Sequence, residues 1–145
     1  MTFSARFLNP FRLASYVLVF YAYAHTMGAV IQVPRFGADS DKVVTAMQTV
    51  QVEVMGAVCT WYDFYRGFGY FVGFFLLFAA YLAWLCGGMT DGTRPVLLKV
   101  AWGSLAVHAA CVPLVFIYFF AAPMVCQSLV TALLAVGCII QSRRG

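Results

Sequence analysis

The sequence predicts an all-α integral membrane protein, a four-helix bundle with an amphipathic or re-entrant segment between its first and second spans. Three observations carry this. Of 145 residues, 63% are hydrophobic and only 10% are charged, where soluble domains carry about 25%. The mean hydropathy is +0.88. Four apolar runs, each near the ~20 residues that a helix needs to cross a bilayer, are separated by short polar stretches. The length suits a single membrane domain over residues 1–145. The net charge of +4 comes largely from arginines at the ends of the runs, so the bilayer, not nucleic acid, is the expected partner.

The tail Met1–Arg12 carries Arg6 and Arg12. Its start resembles a secretory signal, but no small-x-small cleavage site follows the apolar run convincingly. Residues 13–33 form the first expected span, and Pro34 ends it. Pro34–Ser40 reads as a turn, with Asp39 or Ser40 placed to cap a helix. In Asp41–Thr60, Val44, Met47, Val50 and Val54 fall at helical spacing among Lys42, Thr45, Gln48, Gln51 and Glu53, too polar for a span. That stretch is expected to lie at the membrane face, although Val50–Val54 alternates as a strand would.

Residues 61–86 form the second span, stopped by Gly87-Gly88. Its Gly69-x-x-x-Gly73 admits close approach of another backbone, and reads as the seat of a homodimer. A polar turn leads to the third span, 96–120, and Ala121-Ala122-Pro123 reads as a tight turn before the fourth, 124–140. Six basic residues (Arg6, Arg12, Arg94, Lys99, Arg143, Arg144) fall on the side shared by both termini, against Arg35, Lys42 and Arg66 on the other. The positive-inside rule then places the termini in the cytosol and residues 34–60 across the membrane, in the endoplasmic reticulum of a eukaryote or the inner membrane of a bacterium.

The chemistry is expected at the mouth of the second span, Trp61-Tyr62-Asp63-Phe64-Tyr65-Arg66. A charge at a helix centre costs ~2.5–3.5 kcal/mol on insertion scales, so an acid and a base this close to a span call for a reason. Asp63 and Arg66, at i and i+3, read either as an ion pair anchoring the helix end or as a general base held ionised by arginine. Tyr21, His25, Gly28 and Gln32 form a polar stripe on the first span, with His25 in the half nearer Asp63. Glu53 would be a second carboxylate if its segment folds back over the bundle. The expected acid–base set is therefore Asp63, Glu53 and His25, with Arg66 holding a carboxylate ionised and Tyr62 donating to a leaving oxygen. Trp61, Tyr21, Tyr65, Gln32 and Gln127 are the expected substrate contacts, and the phenylalanines would shape an apolar pocket. His108 reads as structural, and Gln127 with Thr131 as a bridge between helices.

Five cysteines (59, 86, 111, 126, 138) include no C-x-x-C pair and no metal-ligand spacing, so neither metal nor redox cofactor is expected; a Cys59–Cys126 bridge stays open.

The pattern His25-Thr26-x-Gly28, Met55-Gly56 and Trp61-x-Asp63-Phe64-Tyr65-x-Gly67-Phe68-Gly69 resembles a family of small four-helix bacterial and fungal membrane proteins. The likeness covers roughly residues 13–86; the last two spans match only in hydrophobicity. In size and layout the chain is also similar to the membrane epoxide hydrolase/cyclases of fungal polyene pathways, of the aurovertin and citreoviridin type. That resemblance implies opening of an epoxide on a polyketide or terpenoid to a diol or cyclic ether, and it transfers no residue role. A carboxylate–arginine–carboxylate set with tyrosines suits epoxide opening, and equally double-bond isomerisation. A transport or scaffold subunit with no turnover is the reading from outside enzymology.

Overall fold

The structure, a computed structural model, describes residues 9–32 and 36–144. The expectations placed on Arg6, Pro34 and Arg35 lie outside the described residues. Four helices are long and apolar enough to cross a membrane, and the fold is all-α apart from one small hairpin. In chain order the elements are α1 (Pro10–His25), continued by a π-helical turn (Thr26–Ile31), α2 (Ala38–Thr49), β1 (Gln51–Val54), β2 (Ala57–Thr60), α3 (Trp61–Cys86), α4 (Arg94–Tyr118) and α5 (Ala121–Ser142).

The helix ends differ from expectation for local reasons. α1 begins at Pro10, earlier than residue 13, because Asn9 caps it: its Oδ1 accepts from the Phe11 N–H at 2.9 Å, and proline suits the position after a cap. Ala121-Ala122-Pro123 is the first turn of α5 and not a separate turn. A proline there breaks no hydrogen bond, since first-turn N–H groups have no partner within the helix. Only Phe119 and Phe120 link α4 to α5.

The residues divide into two compact units. Unit one, Met1–Tyr21 with Leu76–Gly145, packs the first part of α1, the last part of α3, and α4 and α5 around one core. Phe11, Leu18, Val130, Leu134 and Cys138 fill it, with Ala14, Ala80, Ala83 and Ala101 where backbones come close. Phe11 lies so tightly on Gly137 that a Cβ there would stand 2.7 Å from its ring.

Burying a leucine gains little over exposing it to acyl chains, so close packing and interhelical hydrogen bonds carry such a core, each bond worth ~0.6 kcal/mol on average. The Ser15 hydroxyl donates to the Ala80 carbonyl at 2.8 Å. Gln127, buried on α5, donates to the His108 carbonyl at 2.8 Å and lies 3.0 Å from His108 Nδ1. With the amide donating, Nδ1 is the acceptor and His108 is held in its Nε2–H form. Both His108 and Gln127 thus serve packing between α4 and α5.

Unit two, Ala22–Phe75, holds the end of α1 with its π turn, α2, the hairpin and the head of α3. The segment expected as amphipathic is a helix followed by a hairpin. α2 buries Val44, exposes its polar face and packs on β2. Val50 and Val54 fall beyond its end and so leave the helical pattern. Asp39 does not cap α2; it pairs with Lys42 at 2.9 Å, both exposed, a contact worth little. β1 and β2 pair antiparallel, Gln51 opposite Thr60 and Val54 opposite Ala57.

The Gly69/Gly73 motif faces residues of the same chain. A Cβ on Gly69 would stand 2.5 Å from Val30, and one on Gly73 would stand 2.8 Å from the Thr26 hydroxyl. All five cysteines are free thiols.

The hairpin turns through Met55 and Gly56 at φ 53° and 84°, the doubly left-handed geometry of a two-residue turn. Methionine has no ease in that conformation, whereas asparagine visits it readily. Met55→Asn is therefore expected to stabilise the hairpin by about 1 kcal/mol. Hydrogen exchange would show it as roughly fivefold slower opening of the amides of residues 51–60; unchanged or faster exchange contradicts the account.

Candidate functional site

The head of α3 is built on a capping box. Thr60 is the N-cap: its Oγ1 accepts from the Asp63 N–H at 3.2 Å, while Asp63 Oδ2 accepts from the Thr60 N–H and hydroxyl, both at 2.8 Å. The spacing Thr60-x-x-Asp63 was visible in the sequence and marks a helix start. Asp63 is fully exposed, and among the described residues its Oδ1 carries no hydrogen bond. α3 has 26 residues and so a length of ~39 Å, against ~30 Å of hydrocarbon. An upright α3 can therefore keep its polar first turns clear of the acyl chains.

At 100° per residue the head of α3 has two faces. Trp61, Phe64, Tyr65 and Phe68, at i, i+3, i+4 and i+7, share one. Together with Met47 of α2 and Val54 of β1 they line an open depression of about 480 Å³ with an apolar surface. Trp61 and Phe64 touch, ring centroids 5.8 Å apart. Tyr65 lines the depression and turns its hydroxyl away, donating to the Ala29 carbonyl at 2.7 Å. Ala29 lies in the π turn. The phenol thus ties the π turn to α3. It also fixes the orientation of Tyr65.

The opposite face carries Tyr62, Asp63, Arg66 and Tyr70. Arg66 donates to the Tyr70 hydroxyl at 3.0 Å and lies 5.8 Å and 5.7 Å from the ring centroids of Tyr62 and Tyr70. It is a cation held by two aromatic faces, not the partner of Asp63 in a closed ion pair. Tyr62 stacks on Tyr65, centroids 6.4 Å apart.

Among the residues expected to work together, the structure joins Tyr62 with Arg66, and Trp61 with the phenylalanines. No hydrogen bond or ion pair links Asp63, Glu53 and His25 to one another among the described residues. His25 sits 3.0 Å from the Gly69 carbonyl, which can only accept, so Nε2 carries the proton. Glu53 is exposed on β1 opposite Val58, and strand alternation turns it to the face away from Val54 and the depression. Gln32 is exposed at the end of the π turn. Tyr21 and Gln127 belong to unit one, Gln127 spent on His108. Sequence reasoning passed over Met47 and Val54 as lining residues, Thr60 as the cap and Tyr70 as the partner of Arg66. Tyr70, four residues after Arg66, was within reach of a helical reading.

Among the described residues no group of three or more histidines, cysteines and carboxylates is placed to hold a metal. The chain matches no family model, and no curated protein and no solved structure is detectably similar to it.

The cap and any chemistry at Asp63 separate experimentally. Thr60→Ala removes one acceptor and one donor, and should cost about 1 kcal/mol of stability. Asp63→Asn keeps a side-chain acceptor and should leave the thermal midpoint of the purified protein nearly unchanged. A large drop for Asp63→Asn would mean that its charge, beyond the cap, supports the fold.

Proposed function

We propose that this multi-pass membrane protein receives a lipophilic small molecule at the head of α3, in the depression lined by Trp61, Phe64, Tyr65 and Phe68. The observation that carries the reading is that depression itself: its volume lies in the range of small-molecule sites, its lining is aromatic and apolar, and it opens beside a membrane span from which a lipophilic ligand can arrive. A polyketide or terpenoid skeleton, the class expected from the sequence, fits such a lining by shape and polarity.

Turnover of that molecule is the second reading. It is favoured by the unbonded Oδ1 of Asp63, an exposed carboxylate within one turn of two phenols. Epoxide opening would use that oxygen to align water or an internal hydroxyl, with Tyr62 donating to the leaving oxygen; isomerisation would use it to move a proton. Asp63 lies on the α3 face opposite the depression, so the geometry supports binding ahead of turnover.

A fluorescent polyene fatty acid, titrated into the full chain in nanodiscs, tests the binding reading. Trp61→Ala and Phe68→Ala should each weaken binding about tenfold or more, and Asp63→Asn should not. Parental affinity in both folded alanine variants would sink the proposal. For turnover, a lipophilic epoxide is incubated with the purified protein. If the enzyme reading is right, a diol or cyclic ether forms and Asp63→Asn slows it by ~10²–10⁴-fold; no product from the parent removes that reading and leaves the binding one.

We further propose that the termini face the cytosol and that α2 and the hairpin lie across the membrane, in the endoplasmic reticulum or a bacterial inner membrane. Among the described residues the support is charge. Arg12, Arg94, Lys99, Arg143 and Arg144 stand against Asp91 on one side, and Lys42 and Arg66 against Asp39, Asp41, Glu53 and Asp63 on the other. In a cysteine-free background expressed in the bacterial inner membrane, Gly37→Cys should react with a membrane-impermeant thiol reagent added outside intact cells and Gly92→Cys should not; the reverse pattern inverts the topology.

A further inference from the structure

Arg12 is placed against its local electrostatics. It is the third residue of α1, where the helix dipole disfavours a cation. Its guanidinium carbon lies 4.0 Å from the ring centroid of Trp84, near the end of α3, and Tyr16 meets the same ring edge-on with centroids 6.0 Å apart. No carboxylate, carbonyl or hydroxyl accepts from this guanidinium among the described residues, and its Nε is buried without a partner. The neighbouring chain is shaped around it: a Cβ on Gly87 would stand 2.6 Å from Arg12 Cγ. Cation–π contact leaves the edge of the guanidinium free to donate to an anion.

The surroundings are positive. Arg94 opens α4 and is tied to α5 by a hydrogen bond to the Arg144 carbonyl. Against Arg12, Arg94, Lys99, Arg143 and Arg144, this end of unit one offers a single acid among its described residues, Asp91, which is paired with Arg94. Beyond Arg12 along α1 lie Tyr16 and Phe20, and beyond Trp84 back along α3 lies Tyr81, all exposed. An anion alone has no use for this aromatic strip. A phosphate carrying acyl chains does.

We propose that Arg12 and Trp84 form the headgroup site of an anionic phospholipid, the phosphate meeting the guanidinium edge and an acyl chain lying along Tyr16, Phe20 and Tyr81. The site belongs to unit one and is independent of the ligand assigned to the head of α3.

Trp84 reports on it directly. The chain has three tryptophans, and Trp61→Phe with Trp102→Phe leaves Trp84 as the only indole. This variant, full length in phosphatidylcholine bilayers, is titrated with brominated phosphatidylglycerol or brominated phosphatidylcholine. Quenching should favour the anionic lipid about fivefold, the preference should fall as salt rises, and Arg12→Gln should abolish it. Gly87→Ala, which displaces Arg12 without removing it, should weaken the preference. Equal quenching by both lipids, a salt-independent preference, or an unchanged preference in folded Arg12→Gln overturns the proposal. So does inorganic phosphate reproducing the Trp84 emission change in pure phosphatidylcholine, which would make the site one for a free anion. The salt titration needs no substitution at Arg12 and decides the matter even if Arg12→Gln does not fold.

Discussion

A chain built to lie in lipid must satisfy its own backbone, because no water is there to do so and each unpaired group costs several kcal/mol. In this protein, polar side chains of one helix bond backbone carbonyls of another. The π turn at Thr26–Ile31 is held to α3 by the Tyr65 phenol on Ala29 and by His25 on Gly69. Between α4 and α5, the amide of Gln127 donates to the His108 carbonyl. Polar residues that look expensive in an apolar run are, at these places, spent on backbone carbonyls of a neighbouring helix.

The same constraint bears on function. An intramembrane histidine, a glutamine and a tyrosine are natural candidates for catalysis in a sequence so poor in polar groups. His25, Gln127 and Tyr65 all hold backbone carbonyls instead. Asp63 closes the cap of α3 with one carboxylate oxygen and, among the described residues, leaves the other unbonded, so a structural duty does not exhaust it. What remains at the head of α3 is an open apolar depression with an aromatic wall.

Much of the fold was legible because hydropathy and helical length are properties of contiguous residues. The span 61–86 was read to the residue, and the strand-like alternation at Val50–Val54 was noticed. The hairpin itself was less legible, since Met55-Gly56 carries a methionine where two-residue turns prefer asparagine. The apolar face Trp61/Phe64/Tyr65/Phe68 is a sequence periodicity, but its completion by Met47 and Val54 depends on how α2 and β1 fold back, which no local spacing encodes.

By itself, then, the sequence determined the membrane class, the four spans, the charge asymmetry and the aromatic head of α3, because each follows from composition or from neighbours within two helical turns. Only the tertiary structure decided where the lone polar groups go. A histidine, a glutamine or a glycine pair in a span has many partners that satisfy it equally in chemistry. Which one it meets is set by helix packing, and here packing gave Gly69 and Gly73 to Val30 and Thr26, His25 to a carbonyl, and Arg66 to Tyr70 in place of Asp63.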